Sequence, residues 1–250
     1  MRADVFAGIT VAVIAIPLAI GFGIASGVTP GQGLWTAIIA GLIVSLFGGS
    51  RFQISGPTGA FVPVLLAVVI THGVGGLLAA TFLAGLLLLA MGLSGMGYAL
   101  KYIPFPVVAG FTSGIAVIIF LSQLPAFLGV DAGRHEHAPE MALALVSAWR
   151  GIDWHSVVLG VAVFFMCFAG PVGLRRFPHA LAAVVAATAV AWWLQWPVDT
   201  IEGEFGPVPR AFPGFAFPAL GLQTIRDLAG PAVTIALLGG IESLLSATVA

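Results

Sequence analysis

The chain has 250 residues, of which 60% are hydrophobic and only 8% charged, with a formal net charge of −1. Its mean hydropathy is +1.11. A soluble domain carries about a quarter charged residues, so a water-soluble globular fold and a basic nucleic-acid-binding surface are both excluded.

The apolar residues fall into eight segments, as expected of an all-α polytopic membrane protein. The first runs from about Val5 to Ser26, too long for the apolar region of a cleaved signal. Within it, Ile16-Pro17-Leu18-Ala19-Ile20-Gly21-Phe22 interrupts a helix, because Pro17 removes a backbone hydrogen bond and frees a carbonyl. That leaves two readings, a helix kinked for packing or a broken helix lining a cavity. The second segment covers Leu34 to Phe47.

Phe52-Gln53-Ile54-Ser55-Gly56-Pro57-Thr58-Gly59-Ala60 follows. It reads as a short strand, a break at Gly56-Pro57 and a helix starting at Pro57-Thr58-Gly59, with Ser55 or Gly56 as cap. A helix start presents free amide protons and the positive end of the dipole, which attract an anion. Thr58 adds a hydroxyl beside those amides. The third segment, about Pro57 to Ile70, is too short to cross a bilayer at ~1.5 Å per residue unless the extended run before it shares the crossing. Irregular backbone at that depth is tolerated only inside protein or lining a cavity.

The fourth segment spans Leu77 to Leu93 and the fifth Phe105 to Leu128. The connection from Gly129 to Ser156 reads as an exposed loop, with Arg134-His135-Glu136-His137 as a cluster that could in principle hold a metal. The sixth segment is Val157 to Val172 and the seventh Ala180 to Trp196. The single cysteine, Cys167, lies in the sixth, which excludes an internal disulfide or a cysteine metal cluster. Asp199 to Arg226, rich in Pro, Gly and Phe, reads as an outer crossover with room for short strands. Among the loops, Arg2, Arg51, Lys101, Arg175 and Arg176 fall on one side, which predicts a cytoplasmic N-terminus.

The eighth segment starts near Leu228 and is still apolar at Ala250. It opens like the first: Asp4 precedes Ala7-Gly8, and Asp227 precedes Ala229-Gly230. After seven crossings the second copy enters from the opposite side, the inverted-repeat architecture of many secondary transporters. This segment holds Glu242, the one ionisable side chain well inside an apolar segment. A charge at that depth costs about 2.5–3.5 kcal/mol and marks a cavity, a cation or a proton path. Ser246 lies at i+4 on the same face, whereas Ser243 points elsewhere. Carboxylate plus hydroxyl suits Na⁺, and a buried carboxylate alone suits a proton.

No enzyme constellation accompanies these residues. His-Glu-x-x-His and a phosphate-binding Gly-rich loop are both missing from the sequence, which argues against a metalloprotease and an ATP-driven pump. Gly110-Phe111-Thr112-Ser113-Gly114 has the wrong spacing for an intramembrane serine protease, and no mid-membrane histidine could serve as base. No catalytic residues, no organic cofactor and no metal beyond a coupling Na⁺ are expected.

Several motifs occur together and in order. They are Asp4-x-x-Ala7-Gly8, Pro17-Leu18-Ala19-x-x-Phe22, Gly48-Gly49-Ser50 with Ile54-Ser55-Gly56-Pro57-Thr58-Gly59, Pro104-x-Pro106-Val107-x-x-Gly110-Phe111-Thr112-Ser113-Gly114, and Gly240-Ile241-Glu242-Ser243-Leu244-Leu245-Ser246. With them the chain resembles the sulfate permease (SulP) anion transporter family over nearly its whole length. Phe22-Gly23-Ile24-Ala25-Ser26-Gly27 and Gln53-Ile54-Ser55 resemble its bacterial bicarbonate transporters most.

The resemblance implies fourteen membrane segments in two inverted halves of seven, with short third and tenth helices whose N-termini hold the anion between them. It implies an anion site at Pro57, Thr58 and Gly59, lined by Leu18 and Phe22 from a broken first helix. Leu18 stands where the family commonly has glutamine. Glu242 and Ser246 match positions that hold the coupling cation, Na⁺ or H⁺. Residues 1–197 would be the first repeat, 198–226 the crossover and 227–250 the first helix of the second repeat. The remaining segments and a cytoplasmic STAS domain would lie beyond this stretch, which alone would supply half an anion site. The expected function is secondary transport of bicarbonate, sulfate or a dicarboxylate across a bacterial inner membrane by a homodimer. An anion channel, a chloride/bicarbonate exchanger, a non-transporting scaffold and a same-fold nucleobase–cation symporter are the alternatives.

Overall fold

The computed structural model describes residues 2–49, 53–95, 105–131, 133, 138–168, 179–206, 217–218 and 220–249. Among these residues every regular element is helical. Helix α1 spans Arg2–Ala25 and α2 Pro30–Phe47. A single 3-10 turn at Gly59–Phe61 leads into α3, Val62–Leu93, and α4 is Phe105–Leu128. Helix α5, Ala138–Ala148, runs through a 3-10 turn at Trp149–Gly151 towards α6, Trp154–Phe168. Then come α7, His179–Trp193, the short α8, Ile201–Phe205, and α9, Leu222–Val249.

Ala7–Ala25, Pro30–Phe47, Gly59–Leu93 and Leu222–Leu244 are each long and apolar enough to cross a membrane. Large apolar side chains stand outward all over the molecule: Leu93 is 90% exposed, Phe47 83% and Trp193 79%. Water does not tolerate so extensive an apolar surface, whereas lipid does. The chain is an integral membrane protein.

Gly59–Leu93 covers 35 residues, which at ~1.5 Å per residue would far exceed the ~30 Å hydrocarbon core. Gly73 divides it, with φ 68° and ψ −176°, a backbone conformation open to glycine and strained for any L side chain. The two arms, 62–72 and 74–93, are the third and fourth apolar segments. The first arm covers only about 17 Å, so the short third segment is a property of the fold.

The core that positions the site lies between α3 and α9. Val68, Ala79, Ala80 and Ala84 of α3 bury against Leu228, Ile235 and Ala236 of α9, with Phe61, Val64, Leu65, Leu77 and Leu83 around them. Small side chains let the two helix backbones approach closely, the usual basis of helix association in lipid. Helices α1 and α2 form a second close pair. Gly23 and Gly33 face each other there, and a Cβ on Gly33 would collide with the carbonyl oxygen of Ala19. Helix α2 starts on a capping box: Thr29 Oγ1 accepts from the Gln32 amide at 3.3 Å, and Gln32 Oε1 accepts from the Thr29 amide at 3.0 Å.

Four expectations need correcting. Helix α1 is continuous through Pro17, so the broken first helix is not formed, and the packed helix is the alternative realised. The 129–156 connection is not simply a loop, because it contains α5, whose Met141 is buried. The stretch read as a crossover with room for short strands has, at Ile201–Phe205, the helical turn α8, capped by Thr200. Residues 53–58 form no strand among the described residues, although Thr58 itself is extended at φ −125° and ψ 136°. A strand requires a partner for its amide ladder, and no described segment supplies one. The possible metal cluster at Arg134 to His137 lies outside the described residues, as do Arg51, Lys101, Arg175, Arg176 and Arg210.

At the bend before α6, Asp153 gathers four hydrogen bonds. Ser156 donates to Oδ2 from its hydroxyl at 2.7 Å and its amide at 3.0 Å. His155 contributes its amide at 3.2 Å and ring Nδ1 at 2.9 Å to Oδ1. The Ser156 hydroxyl and then the His155 ring hold this carboxyl well below the usual carboxylate range. Asp153 also ties α6 to α4, since its amide donates to the Leu128 carbonyl at 3.0 Å. Because the folded-state value is depressed, the stabilisation is complete above the unfolded carboxylate value and disappears as protons bind below it. Asp153→Ala should therefore lower the melting temperature in detergent at neutral pH, and the gap to wild type should shrink as the pH falls below about 4. A gap of constant size down to strong acid would show that the carboxylate charge is not what holds this corner.

Candidate functional site

The stretch before α3 enters its helix at Thr58, not at Ser55 or Gly56. Thr58 is the N-cap of the turn Gly59–Phe61, and its Oγ1 accepts from the Ala60 amide at 3.4 Å. Pro57 lies one residue before the cap, where its ring biases Gly56 towards extended backbone. The proline favoured at a helix start is instead Pro63, in the first turn of α3. The anion-attracting amides are consequently those of Gly59 and the residues after it, one step later than the sequence reading placed them.

Around that start the chain converges from three sides. A Cβ on Gly59 would lie 2.5 Å from Ile119 Cδ1 of α4 and 3.3 Å from the ring of Phe22 of α1. A side chain at this position would displace the tip of Ile119 and press on the Phe22 ring. Phe22 is thus beside the helix start, as the resemblance implied. Leu18 is on the same face of α1 one turn earlier and is 43% exposed. Helical register alone places it there. Ile119 had no signal in the sequence beyond its apolar character.

The third side is α9. Thr58 Oγ1 donates to Glu242 Oε1 at 3.4 Å, across 184 residues of sequence. Glu242 is half-buried, and Ser246 lies one turn further on the same face and is exposed. A second link lies next to the first: Gln53 Nε2 donates to the backbone carbonyl of Ser243 at 2.8 Å. Thr58, Gly59, Phe22 and Glu242 therefore form one cluster, while Leu18 and Ser246 border it. The hydroxyl of Thr58 has one proton, and here it is directed at the carboxylate. An anion at the same hydroxyl would compete with Glu242 for that proton and meet its negative charge unless a cation or proton neutralised it.

Among the described residues no group of three or more His, Cys, Asp or Glu side chains is placed to hold a metal ion. The chemistry of the cluster is that of one carboxylate, hydroxyl oxygens and helix-start amides. It suits a monovalent cation or a proton beside an anion.

The model of the sulfate permease family matches residues 1–250. A Bacillus subtilis (strain 168) protein, YvdB, whose name makes it a candidate sulfate transporter, is 42% identical over 249 residues, 99% of this chain and 47% of that protein. The bicarbonate transporter BicA of Picosynechococcus sp. is 29% identical over 266 residues, covering 100% of this chain and 46% of that protein. The chain thus spans about half the length of the curated relatives it matches. The solved transmembrane domain of a cyanobacterium bicarbonate transporter BicA superposes with a TM-score of 0.86 at 30% identity, covering 99% of this chain and 65% of that one. The fold is accordingly that of the family's membrane domain over the matched stretch, and the chain belongs to the sulfate permease family.

Proposed function

We propose that the complete protein carries a small anion across the membrane by secondary active transport. The anion binds at the α3 start, at Thr58 and the amides from Gly59 onward, with Pro57 setting the entry of the chain and Phe22 and Leu18 as apolar lining. A coupling cation, Na⁺ or H⁺, binds at Glu242 and Ser246. Bicarbonate, sulfate and a dicarboxylate are the candidate cargoes. The first two follow from what related proteins are named for. One observation carries the reading: the hydroxyl that caps the anion-attracting helix start also donates to the intramembrane carboxylate. Filling the carboxylate with a cation or proton frees that hydroxyl for the anion, so the two ligands favour each other.

The wider architecture belongs to the same proposal. Residues 1–197 act as a seven-segment repeat, 198–226 as an outer crossover and 227–250 as the opening helix of an inverted second repeat. A cytoplasmic N-terminus in a bacterial inner membrane and a homodimeric complete protein complete the picture. Alternating access predicts counterflow. Liposomes preloaded with unlabelled anion should take up labelled bicarbonate or sulfate several-fold faster than empty ones. Conductance without such acceleration would replace the carrier by a channel.

A further inference from the structure

We infer that Gln53 is a positioning residue that staples the extended segment before α3 to helix α9 and thereby sets how Thr58 faces Glu242. The inference rests on the reading of Thr58 and Glu242 as the two halves of a transport site. Residues 53–58 belong to no helix or strand among the described residues, and side-chain contacts help to hold them. Two such contacts reach α9, and they end on consecutive residues: Gln53 on the Ser243 carbonyl at 2.8 Å and Thr58 on the Glu242 carboxylate at 3.4 Å.

The first contact has the length of a well-formed N–H···O bond, and the second is at the outer limit of one. The firmer contact therefore sets the geometry of the looser. A helical carbonyl has a second lone pair beyond the one used along the helix, so the Gln53 amide docks without breaking α9. Docking on backbone also ties the segment to the rotation of α9 about its axis. A shift of one residue turns a helix by about 100° and would carry Glu242 away from Thr58.

The role makes a prediction that a purely structural one does not. If Gln53 sets the mutual placement of the two halves, its loss weakens both ligands together and leaves turnover alone. In the complete gene product, reconstituted in liposomes, Gln53→Leu should raise the KM for labelled bicarbonate or sulfate about 3- to 10-fold, the effect expected of one neutral hydrogen bond. It should raise the half-saturating Na⁺ or H⁺ concentration by a similar factor, with maximal turnover within about twofold of wild type. Gln53→Glu keeps the shape but, when ionised, has no proton to donate and adds a negative charge beside the site, so near neutral pH it should raise the anion KM at least as much as Gln53→Leu. Unchanged constants in both variants, a shift in only one ligand, or a loss confined to maximal turnover would each overturn the inference. A second measurement needs no transport: amide hydrogen exchange over residues 53–60 should be faster in Gln53→Leu than in wild type. Equal exchange overturns the staple even if the transport reading holds. A wild type that carries none of the anions would sink the transport reading and leave the exchange result to decide on the staple.

Discussion

Glu242→Gln should abolish gradient-driven accumulation of the anion, by about 100-fold or more, while the protein still folds. The substitution is isosteric, and the amide oxygen can still accept the proton of Thr58, so the 3.4 Å contact survives. What disappears is the negative charge. That charge sits half-buried in a 28-residue helix that packs along α3. A charge at membrane depth costs about 2.5–3.5 kcal/mol, so its removal should if anything ease insertion. The melting temperature in detergent should be equal to or above that of wild type. A cation loses the carboxylate that draws it in, and hydrogen bonds to charged groups contribute about 1.5–3 kcal/mol, or roughly ten- to a hundredfold in affinity. Exchange of labelled for unlabelled anion requires no net cation movement and should persist at a reduced rate. The measurement is liposome uptake under Na⁺ and pH gradients imposed separately. Driven uptake that responds to either gradient as in wild type would remove Glu242 from the coupling role.

The parts of this fold that could be read from the sequence are those that lipid dictates. Phe105 to Leu128 was delimited correctly because an apolar run bounded by Pro104 and Gly129 has only one reading, and α4 occupies those residues. The third and fourth segments were separated correctly for the same reason, and Gly73 provides the break. Errors arose where local signals were ambiguous. Pro17 can break a helix or ride within one, and only packing against neighbours decides between them. The caps offered by Ser55 and Gly56 gave way to Thr58, because Pro63 rather than Pro57 supplies the first-turn proline. Helix α5 is hidden in a connection rich in charges and glycine, and its signal is a modest amphipathic pattern with the buried Met141 in its first turn. The site was legible in its members and illegible in its pairing. Thr58 was conspicuous beside a helix start and Glu242 as a lone carboxylate. The hydrogen bond between them closes 184 residues, and that of Gln53 with Ser243 closes 190. Nothing local encodes such contacts. They follow from the small-residue packing of α3 on α9.

Thr58→Val is the sharpest test of the anion half. Valine matches threonine in shape and is at home in extended backbone like that of Thr58, at φ −125° and ψ 136°. The only group removed is the hydroxyl, which caps the Ala60 amide and donates to Glu242. Loss of a threonine cap typically costs about 1 kcal/mol, so a small fall in melting temperature accompanies the functional effect. The anion loses a donor whose bond to a charged group contributes about 1.5–3 kcal/mol, which predicts a KM at least tenfold higher. The Gly59 amide and the helix dipole remain, so binding is weakened and not abolished. Thr58→Ser restores the hydroxyl and should return the KM to within about threefold of wild type. The double variant Thr58→Val with Glu242→Ala, which unlike glutamine leaves no acceptor for the hydroxyl, adds a test of the link itself. Two independent sites would give additive losses, whereas a shared hydrogen bond predicts a combined loss clearly smaller than the sum. An unaltered KM in Thr58→Val would move the anion away from the α3 start. Additive losses in the double variant would leave both sites in place and dissolve the connection between them.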